Sequence, residues 1–284
     1  MNRGHALLQR GDAASLAAAL AAYDEAITLL RPLPVAENPG WANSLGAALM
    51  NRGQLLHRLH GTARSAVALA AFDEAAELLR GPAGASGQGR DLAAGPWPRR
   101  NLAGTQLNRA NLLLDLAHFP GAAAAARAAL ALGQPHERAA PLDAEIALKA
   151  RRALCDALGQ SLVVPGADQD TLASEAGDLA DDALALVRHW ADRGEANFAE
   201  LALRFFRYGT QLYRFHQPQF LADFIGDHLP VASAEFRAVA LAVLDAALGD
   251  LPHDRTFLTV GDPASERRRG IWHELAALRA KIAA

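Results

Sequence analysis

A single cysteine, Cys155, stands in a chain of 284 residues. One thiol closes no intramolecular disulfide and supplies no zinc site built on several thiolates. Its setting, "RRALCDALG", is that of a buried structural side chain among apolar helical neighbours. Aromatic residues are scarce at 6%, and the apolar 51% is mostly Ala and Leu. Strands draw on β-branched and aromatic side chains, so little is left to build a sheet, whereas Ala and Leu favour helices.

Charge of one sign is lacking too. The net charge is −3, too mild to point to nucleic acid or a membrane surface, either of which favours a basic patch. The halves do differ: residues 1–142 hold 13 basic and 10 acidic side chains, and residues 143–284 hold 15 and 21. No glycine loop ends in Gly-Lys-Ser/Thr, and neither His-Glu-x-x-His nor Gly-x-Ser-x-Gly occurs, which removes the commonest sequence signatures of nucleotide, zinc-protease and serine-hydrolase chemistry. The expectation is a non-enzyme with no metal or cofactor. No signal-like segment opens the chain, and apolar runs such as "ASLAAALAAY" are about half the length that spans a bilayer. A soluble cytoplasmic protein is expected, with no membrane partner.

What is present is repetition. "MNRG" at 1–4 returns at 50–53 and, as "LNRA", at 107–110. A second phrase, "LAAYDEAITLLR" at 20–31, returns as "LAAFDEAAELLR" at 69–80. Both steps are 49 residues, so the repeating unit is a pair of segments. The next step is 57, and its extra length falls in the Gly/Pro-rich stretch 81–98, read as a loop insertion.

Each phrase has a helical period: Ala19, Tyr23, Ala26 and Leu30 line one face, as do Ala68, Phe72, Ala75 and Leu79. Gly11-Asp12 and Gly61-Thr62 break the chain inside units, and Pro32, Pro34, Pro39, Pro82, Pro96 and Pro98 fall between them. The unit is therefore read as a helical hairpin. Units lie near 1–34, 42–81 and 99–133, with 1–141 as the repeat region and 142–284 as degenerate repeats and capping helices continuous with it. The first unit begins at the equivalent of Met50, without the helix that precedes Met50 in the second. Either the first hairpin has a short capping helix or the natural chain starts upstream.

A small residue followed by a bulky one, as in Gly4/Leu7 and Gly53/Leu56, and then Ala-x3-aromatic-x2-Ala, as in Ala19-Tyr23-Ala26 and Ala68-Phe72-Ala75, resembles the tetratricopeptide repeat (TPR). The resemblance is strong over 1–80 and weakens beyond about 116, and the units here are longer than the family's repeat of about 34 residues. It implies an all-α TPR-like superhelix, a solenoid of stacked antiparallel hairpins with about twelve helices and little or no sheet. In function it implies a non-catalytic scaffold that binds a protein or peptide along a concave groove.

Carried onto this chain, the groove-facing positions are Asn2, Asn51 and Asn108, joined by Gln54, His57 and Arg58 in the second unit and by Asn111 and Asp115 in the third. A side-chain amide both donates and accepts, so it can hold a peptide backbone without reading its sequence. The same asparagines could instead bond neighbouring helices. Arg3, Arg52 and Arg109 either meet a carboxylate of the partner or pair within the repeats.

A secondary candidate is the segment 198–224, where Arg204, Arg207 and Arg214 share a face opposite Phe205, Tyr208 and Leu212. That arginine stripe could track phosphates, but the acidic run Asp168, Asp170, Glu175, Asp178, Asp181 and Asp182 is the simpler partner, and nucleic acid is disfavoured. The alternative reading of the chain is a regulatory or ligand-sensing helical domain with a pocket in these C-terminal aromatic helices. Self-association through the terminal hairpins is a further option.

Overall fold

The computed structural model describes residues 2–35, 37–81, 95–161, 168–191 and 263–283, with short stretches between 193 and 248. Among the described residues the protein is all-α and contains no strand. Its described helices are α1 (Asn2–Arg10), α2 (Ala13–Leu30), α3 (Pro39–His60), α4 (Ser65–Arg80), α5 (Pro96–Asp115), α6 (Phe119–Gly133), α7 (Pro141–Ser161), α8 (Gln169–Ala191) and α9 (Pro263–Ala283). The chain divides into two compact units, 1–157 and 158–284, so the division falls near the end of α7.

In the first unit the helices form hairpins α1/α2, α3/α4 and α5/α6. Their ends follow from local chemistry. Gly11 and Gly61 hold φ of 74° and 53°, a region costly to residues with a Cβ, and turn the chain within the first and second hairpins. Asp12 caps α2, accepting from the Ser15 N–H at 2.9 Å and the Ser15 hydroxyl at 2.6 Å. Those two bonds hold its carboxyl below the usual value. Asn38 caps α3 through the Gly40 N–H. Pro39 and Pro96 are not separators between units: each opens a helix in its first turn, where a missing N–H costs nothing. The segment 82–94, which holds Pro82 and most of the expected insertion, lies outside the described residues.

The hairpins close on glycine. A Cβ added to Gly53 would lie 2.6 Å from the Phe72 ring, and one on Gly46 would lie 2.7 Å from Leu79. Gly46 precedes Gly53 by one heptad while Leu79 follows Phe72 by one, so α3 and α4 run antiparallel. Gly4 meets Tyr23 in the same way in the first hairpin. Phe72, fully buried, then clusters with Leu56 and Ala68 and reaches Leu112 of the third hairpin. It therefore fills both the gap within its own hairpin and the gap to the next. In the third hairpin Ala110 takes the glycine position, and α6 answers with buried alanines, Ala122, Ala123, Ala126 and Ala129.

The helix α2 is long and apolar enough to cross a membrane by length and composition, because its apolar run continues past Asp24-Glu25. Its buried residues, Leu16, Ala19, Tyr23 and Ile27, are spent on a core shared with Leu45, Ala48, Leu49 and Leu55 of α3.

Buried charge fastens α7 to the hairpins. Asp143, 2% exposed, receives Arg100 through two bonds of 3.1 and 2.9 Å and Arg99 at 3.1 Å, while Arg99 also donates to the Leu132 carbonyl. Arg151, fully buried, grips Glu137 with both terminal nitrogens. Burial alone would raise the Asp143 pKa, but the two guanidiniums outweigh it and hold the carboxyl below its usual range.

Two predictions follow from this packing. Gly→Ala in an open helix stabilises by about 1 kcal/mol, and Gly177 of α8, with open space around it, is expected to behave so. Gly53→Ala is expected to do the opposite, lowering the thermal midpoint because the added methyl meets an aromatic ring, at a cost of about 1–3 kcal/mol. Phe72→Ala is expected to cost about 3–5 kcal/mol; equal, small effects at all three sites in calorimetry would contradict the hairpin packing.

Asp143→Asn leaves two guanidiniums against a neutral amide and is expected to cost about 3–5 kcal/mol at neutral pH. Because the folded-state pKa is depressed, the carboxylate's contribution is complete above its unfolded value and is lost as pH falls through the folded value. The difference between wild type and variant should therefore shrink only in acid below the usual carboxylate range, as urea titrations over pH would show.

Candidate functional site

The leading helices of the second and third hairpins lie side by side and parallel. Asn101 donates to the Asn43 amide oxygen at 2.9 Å, a Cβ on Gly104 would lie 3.2 Å from the Met50 sulfur, and His57 meets Asp115 at 2.7 Å. These three contacts advance together along α3 and α5. The repeat is thus a spatial one: residues 57 apart in sequence occupy matching places on adjacent helices.

One face of this pair carries the candidate residues. On α3 it runs through Ala47, Asn51, Gln54 and Arg58, and on α5 through Gly104, Asn108, Asn111 and Asp115, with the same steps of four, three and four. Asn51, Gln54, Asn108 and Asn111 are half-buried and make no side-chain hydrogen bond among the described residues. Arg58 is exposed and forms no ion pair there. Asp115 is exposed but not free: as a carboxylate it can only accept, so the His57 Nε2–H donates to it. The two candidates His57 and Asp115 therefore tie the second hairpin to the third.

The arginines of the repeated phrase turn away from this face. Arg52 pairs with Asp24 at 2.6 Å and Arg109 with Asp73 at 3.1 Å. Each pair joins the leading helix of one hairpin to the acidic "DE" of the hairpin before it. Of the two roles open to them from sequence, the described geometry fits pairing within the repeats. Asn2 and Arg3 belong to α1, but their side chains lie outside the described residues. So does the whole segment 198–224 with Arg204, Arg207 and Arg214. In the acidic run, Asp168 caps α8 by accepting from the Thr171 N–H and hydroxyl. Among the described residues no group of three or more His, Cys, Asp and Glu could hold a metal ion.

Sequence reasoning did not find Arg99, Arg100, Asp143, Glu137 or Arg151. The available signal was positional, since Arg151 falls amid a run of buried apolar residues in α7, a place where an unpaired charge would not survive. Trp97, 62% exposed at the start of α5, was also missed; the Arg100 guanidinium lies 5.5 Å from its ring centre.

No family model matches this chain, and neither a curated protein nor a solved structure matches it.

One carboxyl in the first unit titrates unusually. Burial pushes Asp156 up to about 6, opposed only in part by Arg152 at 4.0 Å. A folded-state pKa above the unfolded one means that the folded state binds the proton more tightly, so stability rises as pH falls through about 6 and is lowest with the group ionised. Asp156→Asn is expected to raise the thermal midpoint above neutrality and to lose that advantage as the buffer is made acidic. A midpoint difference independent of pH would show that Asp156 is not the titrating group.

Proposed function

We propose that the chain is a TPR-like solenoid of about twelve helices that acts as a non-catalytic, cytoplasmic scaffold, binding a protein or peptide segment on the face shared by α3 and α5. The observation that carries the reading is the set of four half-buried amides, Asn51, Gln54, Asn108 and Asn111, repeated on parallel helices without a side-chain hydrogen-bond partner among the described residues. The phrase "NRG" divides its labour. Its glycine closes the hairpin and its arginine ties hairpins together, while its asparagine is the member with no structural task in the described fold.

An extended segment lying across α3 and α5 would offer the amides alternating N–H and C=O groups. Each such bond contributes about 0.5–1.5 kcal/mol net, so affinity would come from the ladder and not from one contact. Exposed Arg58 sets a cation at one end of the face, suited to an acidic group on the bound segment.

The test uses a photo-crosslinking residue placed at Gln54 or, as a control, at exposed Glu77 of α4, in cells producing the protein. Capture of a defined partner from position 54 alone, with affinity weakened about tenfold by Asn51→Ala/Asn108→Ala, would support the reading. The double variant should also unfold within about 0.5 kcal/mol of wild type, as changes outside structural contacts do. A marked loss of stability would make the asparagines structural, and equal capture from both positions would move the site elsewhere.

A further inference from the structure

The amide stripe of α5 does not begin at Gly104. Continued toward the start of the helix in the same steps of three and four, it passes through Asn101 to Trp97, so that Trp97, Asn101, Gly104, Asn108, Asn111 and Asp115 lie on one line. Trp97 stands at the head of that line and is 62% exposed. Its counterpart 57 residues earlier on α3 is Gly40, which has no side chain to cover the indole. Trp41, also exposed at this end, belongs to another face. By helical period it falls in line with Ala48 and Arg52, on the side of α3 that meets the first hairpin.

The exposed ring is held in place. The Arg100 guanidinium lies 5.5 Å from its centre, and Arg100 is itself fixed by two bonds to buried Asp143. Tryptophan and arginine are the residues that most often dominate binding energy at interfaces, and a ring already immobilised loses little freedom when a partner covers it.

The surface between the ring and the Asn108 amide is suited to an apolar guest. Gly104 has no side chain, and the Met50 sulfur sits beside it, 3.2 Å from where a Cβ would stand. The amide of Asn101 is engaged by Asn43. A bulky side chain arriving here meets an indole at one side and a polarisable thioether at the other, both favourable partners for apolar and aromatic groups.

We propose that Trp97 is the specificity-determining residue of the amide-bearing face, its indole receiving a bulky apolar or aromatic side chain of the bound protein segment while the amides hold that segment's backbone. The inference rests on the proposed binding site of α3 and α5, and it supplies what that site lacks, since amides hold a backbone without reading its sequence. The spacing fixes where the side chain falls. The 11 residues from Trp97 to Asn108 rise about 16 Å along the helix, a distance that about five residues of extended chain span. Arg58 marks the opposite end of the same face, so the fitting segment carries its apolar anchor and its acidic group at opposite ends.

The experiment is selection from a displayed library of random peptides of about twelve residues, long enough to cover the face, on wild type, Trp97→Ala and Asn51→Ala/Asn108→Ala. Peptides retained by wild type are expected to share one bulky apolar or aromatic position. A synthetic copy of the most enriched peptide is expected to bind Trp97→Ala about tenfold or more weakly, and Trp97→Phe, which keeps a ring, should recover most of that loss. The thermal midpoints of all these variants should match wild type. If Trp97 only shields the contact of Arg100 with Asp143, Trp97→Ala will lower the thermal midpoint and leave the peptide preference unchanged, and the proposal falls. Peptides that need Asn51 and Asn108 but share no apolar position, or bind Trp97→Ala as well as wild type, overturn this inference and leave the amide-bearing site standing. A double amide variant that retains the peptides undiminished, or a wild type that retains none, overturns that site and this inference with it.

Discussion

The architecture of the first unit depends on how close two helices can come. Where Gly53 faces Phe72 and Gly46 faces Leu79, the missing methyls let α3 and α4 approach until ring and leucine rest on bare backbone. Dispersion is short-ranged, and a gap of even a fraction of an ångström forfeits much of it. The aromatic that fills this gap also reaches Leu112, so the spacing within one hairpin sets the seat of the next. Glycine inside a helix costs conformational entropy, and the cost is tolerated here because the contact cannot form otherwise.

Around that contact the charges act as alignment and not as the main source of stability. Arg52–Asp24 and Arg109–Asp73 are partly exposed pairs, each of modest strength. Their use lies in register, since each can form only when neighbouring hairpins sit at one particular stagger. Asp143 and Glu137 are a different case. Buried against three arginines, they would be costly if any partner were removed, and they bind α7 to α5 and to the turn after α6. The helix that follows the three hairpins is thus held by buried ionic contacts in addition to its buried face of Ala147, Leu148, Ala150 and Leu154.

The same division explains which residues remain for function. In the second hairpin the packing consumes glycine, aromatic, leucine and alanine, and alignment between hairpins consumes Arg52, Arg109, Asp24 and Asp73. The amides of Asn51, Gln54, Asn108 and Asn111 are left over, on parallel helices and in phase.

Much of this was legible in the chain itself. A repeat of two phrases at one spacing, with a helical period in each, determined that the first unit is built of helical hairpins and which residues share one face of each helix, because the period alone sets that stripe. The pairing of Gly53 with Phe72 was legible only in that each lies on the apolar stripe of its own helix; the contact itself was decided by the fold. Partnerships between hairpins were not. That His57 would find Asp115, that Arg52 would reach back to Asp24, and that Arg99 and Arg100 would converge on Asp143 depend on stagger between helices more than 25 residues apart, and no local period encodes stagger. Nor could sequence show that Trp97 stays exposed at the head of the amide-bearing face. Burial of a face is decided by what packs against it, which is a property of the assembled hairpins and not of the helix that bears the face.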